Sequence, residues 1–114
     1  MQFSHLCKIF GLATLIAVAG CKDESGDSPS LKLYNEGRAI YAARCTACHN
    51  PEPHSPGPIG PDVFGSSREL IEARVLRAQY PENYKAKRDT KMMLALPDLK
   101  DKIDSLAAFL NDKK

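Results

Sequence analysis

An all-α fold of three main helices joined by long loops is predicted by three features of the sequence. Apolar residues recur at helical spacing in three stretches, five prolines crowd the longest gap between them, and no βαβ alternation is visible. A chain of 114 residues has room for one domain. Its net charge of +2, from 16 basic and 14 acidic side chains, argues against a nucleic-acid binder or a polybasic membrane binder. With no Trp, four Phe and four Tyr, the side chains alone make a lean core, which an apolar cofactor at its centre would complete.

The chain opens with Lys8 and an apolar run from Ile9 to Ala19, the length of a signal-peptide hydrophobic region and too short to span a bilayer comfortably. Val18-Ala19-Gly20-Cys21 closes the run and resembles the lipobox of bacterial lipoproteins, which implies cleavage before Cys21 and a diacylglyceryl group on its thiol. An ordinary secretory signal would also export the chain; lipid chains would add stable membrane anchoring. Residues 1–20 are therefore expected to be a signal peptide. Lys22 to Ser30 offers no apolar side chain to bury, so 21–30 reads as a lipidated flexible tether and 31–114 as the domain. So short a domain usually needs a staple.

From Leu33 to Arg44, the positions Leu33, Gly37, Ile40, Tyr41 and Ala43 keep helical spacing. Glycine inside a helix costs about 1 kcal/mol against alanine. Gly37 is therefore read as room for a second helix, with Leu106 and Phe109 expected to meet it and Tyr41. This helix delivers Cys45-Thr46-Ala47-Cys48-His49. Two thiols three positions apart at a helix end can both add to the vinyl groups on one edge of a porphyrin. The imidazole directly after the second thiol is then carried onto the iron, so the pattern reads as attachment of one c-type haem. A thioredoxin-like pair would need a βαβ setting, and a structural zinc site would need a fourth ligand, for which only His54 is near. Cysteine counting agrees: Cys7 leaves with the signal, Cys21 takes lipid, Cys45 and Cys48 take haem, and no thiol remains for a disulfide.

The stretch Asn50 to Ser67 is too rich in proline for a helix, and a structureless loop of this length in a small domain needs a job. Wrapping the His49 side of the porphyrin would supply one, with His54 as an exposed loop residue. Ser66 or Ser67 can cap the next helix, Arg68 to about Ala78, and Glu69 suits its positive end. Leu70, Ile71, Val75 and Leu76 form its apolar face. Between Arg74 and Lys91 lie six cationic and two anionic side chains, a basic rim suited to steering an acidic partner. Arg88, Thr90, Tyr80 and Tyr84 are candidate donors to the haem propionates. Met92 and Met93 then offer a soft thioether as second axial ligand. The last helix is expected from Asp98 or Asp101 to about Asn111, burying Ile103, Leu106, Ala107, Phe109 and Leu110.

From Leu33 onward the chain resembles the monohaem class I cytochromes c. Gly37, eight residues before Cys45, and Tyr41 match the first-helix glycine and aromatic of that family. Gly60-Pro61-Asp62-Val63-Phe64-Gly65 resembles the family segment Gly-Pro-Asn-Leu-x-Gly, and Gly57-Pro58 is a local duplicate of its first dipeptide. Leu106 and Phe109 match the pair that packs on the first-helix glycine. The resemblance implies that the Pro61 carbonyl accepts a hydrogen bond from His49 Nδ1, making Nε2 the iron ligand. Against the bacterial pattern Met-Pro-x-x-Pro, Met93 is the distal ligand with Leu94 in place of the first proline and Pro97 matching. Against the Thr-Lys-Met pattern of mitochondrial-type members, Thr90-Lys91-Met92 makes it Met92.

What the resemblance implies is a cytochrome c fold around one covalent haem c and one-electron transfer with His49 and Met93, or alternatively Met92, on the iron. No catalytic residue and no nucleic-acid partner are expected. A monomeric domain would dock transiently and electrostatically with redox proteins on the periplasmic side of the bacterial cell envelope, anchored through Cys21. The alternative is a haem-containing subunit of a periplasmic redox enzyme or a haem-based ligand sensor.

Overall fold

The computed structural model describes residues 28–113, so the expected signal segment and Cys21 lie outside the described residues. Helix α1 runs Pro29–Arg44. Ser28 Oγ accepts from the Leu31 amide at 3.3 Å, and Pro29 occupies the first turn, where a missing N–H costs nothing. Pro29 and Ser30 thus belong to the helix rather than to the tether expected over 21–30. Low apolarity marked them as linker, whereas the Ser-Pro pair is a helix start.

Helix α2 runs Arg68–Arg77, with Ser67 Oγ accepting from the Leu70 amide at 3.1 Å and Glu69 in the first turn. Ala78 ends it in the left-handed region at φ 53°, where its amide reaches the Arg74 carbonyl at 3.0 Å and the Gln79 amide reaches that of Ala73 at 3.1 Å. The last element starts as a 3-10 turn, Pro97–Lys102, and continues as α3, Ile103–Leu110. Neither Asp98 nor Asp101 caps an α-helix here. The Asp98 carboxylate instead accepts from the Arg44 guanidinium at 2.9 and 3.4 Å, tying the end of α1 to the start of the 3-10 turn.

Helices α1 and α3 cross in close contact at Gly37. A Cβ there would stand 1.9 Å from the Ser105 carbonyl oxygen and 3.0 Å from Phe109 Cβ, so only glycine lets the two backbones touch. Ser105 and Phe109 supply the nearest atoms, whereas Leu106, expected at this contact, turns into the core at 1% exposure. The buried Ser105 hydroxyl donates to the Glu36 carboxylate, which also pairs with Lys102 and stays below the usual carboxylate range because of those two bonds. The Phe109 ring packs against Tyr34 and Tyr41 at centroid distances of 5.5 and 5.3 Å.

Tyr41, Ile71, Val75, Leu99, Ile103, Leu106 and Leu110 form one buried cluster to which every helix contributes. Arg68 joins α2 to α3 by donating to Asp104 at 2.6 Å, and holds Glu72 one turn on at 2.7 Å. The fold is all-α, with no strand among the described residues.

Candidate functional site

The Cys45 amide reaches the Tyr41 carbonyl at 2.9 Å and the His49 amide reaches the Cys45 carbonyl at 2.9 Å. Helical bonding therefore carries on past Arg44 and sets both cysteines and the histidine on one turn. The proline-rich loop folds back over that turn. A single acceptor, the Cys48 carbonyl, takes the amides of Ile59 at 3.2 Å and Gly60 at 2.8 Å, and the Gly57 amide closes the loop on the Gly60 carbonyl at 2.9 Å.

Two glycines make that approach possible. A Cβ on Gly57 would fall 2.3 Å from the Cys48 carbonyl oxygen, and one on Gly60 would fall 2.4 Å from His49 Cε1. Gly57-Pro58 and Gly60-Pro61 are thus not interchangeable. Gly57 lies on the motif's backbone, whereas Gly60 lies on its imidazole.

His49 Nδ1 lies 2.9 Å from the Pro61 carbonyl oxygen. A carbonyl can only accept, so Nδ1 carries the ring proton and Nε2 keeps an unshared pair for a metal. This is the arrangement that orients a ligating histidine and raises its basicity. Next to it, Tyr41 Oη donates to the Asn50 carbonyl at 2.6 Å, and burial pushes the Tyr41 phenol up to about 12.

Cys45, Cys48 and His49 line an apolar cavity of about 340 Å³. Ile71 and Val75 from α2 and Leu106 and Leu110 from α3 complete it, together with Met92, Met93 and Leu96 from the segment before the 3-10 turn. Burial pushes the Cys45 thiol up to about 11, with the Cys48 thiol adding to the effect and the Arg44 charge opposing it. Cys45 is therefore a neutral thiol near pH 7, the reverse of the lowered pKa that activates a redox Cys-x-x-Cys. Met93 is half-buried against the core, while Met92 is 65% exposed.

Residues 79–96 form a strap without helix or strand. Its end is fixed by the Leu96 amide on the Val75 carbonyl at 2.6 Å, and its middle by Lys87, which donates to the Asp62 carboxylate at 2.6 Å and carbonyl at 3.2 Å. That ammonium holds the Asp62 carboxyl below the usual carboxylate range. Arg74 lies 4.1 Å over the Tyr80 ring, which stacks on Tyr84 at 5.3 Å.

Of the expected propionate donors, Thr90, Tyr80 and Tyr84 line the cavity. Arg88 does not. Its guanidinium donates to the Gly57 carbonyl at 3.0 Å, because that carbonyl, in a loop turned by prolines, has no helical partner. His54 is also elsewhere, stacked on Phe64 at 3.6 Å in a separate groove. The basic rim is partly neutralised by Lys87 on Asp62 and Arg77 on Glu72 at 3.8 Å, while Lys85 and Lys91 have no ion pair among the described residues. The bond from Lys87 to Asp62 has no signal in spacing or motif, since the two residues are remote in sequence.

The donor set fits a covalent haem. Two thiols, an imidazole with its tautomer set and a thioether share one apolar cavity, at the small end of the range of about 300–1,000 Å³ for ligand sites. A zinc site does not fit as well. Among the described residues no three His, Cys, Asp or Glu side chains gather for a metal, and His54 is held by Phe64. No protein-family model, no curated protein and no solved structure matches the chain.

Proposed function

We propose that the chain is a monohaem class I cytochrome c, a one-electron carrier of the bacterial cell envelope, exported by residues 1–20 and anchored through lipid on Cys21. The observation that carries this reading is the 2.9 Å contact of His49 Nδ1 with the Pro61 carbonyl, on the wall of the cavity that Cys45, Cys48 and Met93 also line. A protonated Nδ1 on a fixed ring makes Nε2 the ligand. The loop, seated on the Cys48 carbonyl by two amides, keeps that ring from turning.

Bound there, a haem c supplies a one-electron iron couple. Cys45 and Cys48 would hold it by thioether bonds, and His49 Nε2 and the Met93 thioether would be its iron ligands. Met93 is preferred to Met92 because it already packs against the core, whereas Met92 would have to give up an exposed position. With both residues as ligands, the haem would serve electron transfer rather than substrate binding. Leu94, 78% exposed, and Met92 place apolar surface at the cavity mouth, and the cations Lys85 and Lys91 lie on the same strap. This suits brief, salt-sensitive docking with an acidic redox protein.

The absorption spectrum of the exported, oxidised protein tests the reading. Covalent haem c with the weak far-red band of a ferric iron–thioether bond is expected. A colourless protein would overturn the cytochrome reading, and haem without the sulfur band would favour the ligand-sensor or enzyme-subunit alternative.

A further inference from the structure

We infer that Lys87 and Arg88 are positioning residues that latch the methionine-bearing strap onto the loop that orients His49, so that the two axial supports move as one unit. This rests on the cytochrome reading above. The strap between Ala78 and Pro97 has no regular structure, and Met93 lies within it, five residues beyond Arg88. Its ends are continuous with α2 and the 3-10 turn. Midway it is held by directed bonds: Lys87 to the Asp62 carboxylate and carbonyl, and Arg88 to the Gly57 carbonyl.

Both acceptors belong to the loop over the cysteine–histidine turn. Asp62 directly follows Pro61, whose carbonyl accepts the hydrogen bond from His49 Nδ1, and Gly57 is in contact with the Cys48 and His49 backbone. A displacement of the strap therefore pulls on the loop, and a displacement of the loop releases the strap. Position matters here rather than charge. Lys85 and Lys91 carry the same charge on the same strap but reach no acidic partner among the described residues.

The test is the rate at which the ferric, haem-loaded protein captures added imidazole in place of Met93, read from loss of the far-red thioether band. Lys87→Ala is expected to speed capture about threefold, since its bridge is half-exposed, and Arg88→Ala about tenfold, since its bond is more sheltered. Lys87→Arg should restore the slow rate, and Lys85→Ala and Lys91→Ala should leave it unchanged. In the Lys87→Ala and Arg88→Ala proteins the His49 Nδ1 proton, followed by NMR, should also exchange faster with solvent.

Unchanged capture in both latch variants, or equal acceleration in the Lys85 and Lys91 controls, would overturn the latch while leaving the cytochrome reading intact. Faster capture with an unchanged His49 proton would overturn the coupling between the two supports. A wild-type protein that binds haem without a thioether band would overturn both readings together.

Discussion

Replacing Gly60 by alanine tests the proximal arrangement most directly. The new methyl group would lie 2.4 Å from His49 Cε1, 2.6 Å from Nδ1 and 3.0 Å from Nε2, where carbon contacts need about 3.5 Å. Either the ring or the loop must therefore move by about 1 Å. The loop cannot move freely, because Ile59 and Gly60 share the Cys48 carbonyl and Gly57 closes on Gly60. Losing two such bonds at about 1 kcal/mol each, or accepting an overpacking cost of about 1–3 kcal/mol, puts the destabilisation at about 1–3 kcal/mol. If the ring moves instead, the bond to Pro61 is lost and histidine ligation weakens. The assay is urea denaturation of the haem-loaded protein, with the visible spectrum recorded in parallel. Gly65→Ala is the control: it has φ 75° but nothing within 4 Å of its added methyl, so only about 1 kcal/mol of backbone strain and an unaltered spectrum are expected. A Gly60→Ala protein as stable as wild type with an unaltered spectrum would refute the steric argument.

Gly37→Ala drives a methyl group to 1.9 Å from the Ser105 carbonyl oxygen, so α1 and α3 must separate; a loss of at least about 3 kcal/mol is expected in denaturant titration. Met93→Ala should abolish the thioether band and Met92→Ala should keep it; the opposite pattern would assign Met92. The Tyr41 phenol, pushed by burial from 10 to about 12, stays protonated in the fold when the unfolded chain has already released its proton. Stability from this group is therefore present below pH 10 and is lost as pH rises toward 12. Urea midpoints across that window should fall more steeply for wild type than for Tyr41→Phe, and parallel curves would contradict the burial argument.

Several parts of the fold and site were legible from residue order because they depend on near neighbours. Capping by Ser67, the Gly37 gap and the apolar stripes of α2 and α3 all follow from spacing along one element. The His49–Pro61 pairing spans a longer interval, but it joins a histidine and a loop carbonyl that a family resemblance had already placed in register. Reading low apolarity as linker failed at Pro29 and Ser30, because a helix start is recognised by its cap rather than by its burial. The start of the last helix failed for a different reason. Asp98 is an acceptable cap residue in isolation, but a 3-10 turn already begins one residue earlier at Pro97, and the Asp98 carboxylate pairs with the Arg44 guanidinium, far away in sequence.

Arg88 makes the same point at the site. Its charge suggested an anionic partner, yet the fold presents it with a carbonyl left without a helical donor, which a guanidinium satisfies well. By itself the sequence determined which residue types were available: two thiols and an imidazole on one turn, glycines where backbone must come close, a methionine pair before a proline. Such choices act over a few residues, where bond geometry leaves little freedom. Only the tertiary structure decided which of these groups meet. It set Ser105 rather than Leu106 against Gly37, Gly60 rather than Gly57 on the imidazole, and Met93 rather than Met92 against the core, because long-range packing selects partners by shape and by unsatisfied hydrogen bonds that residue order does not encode locally.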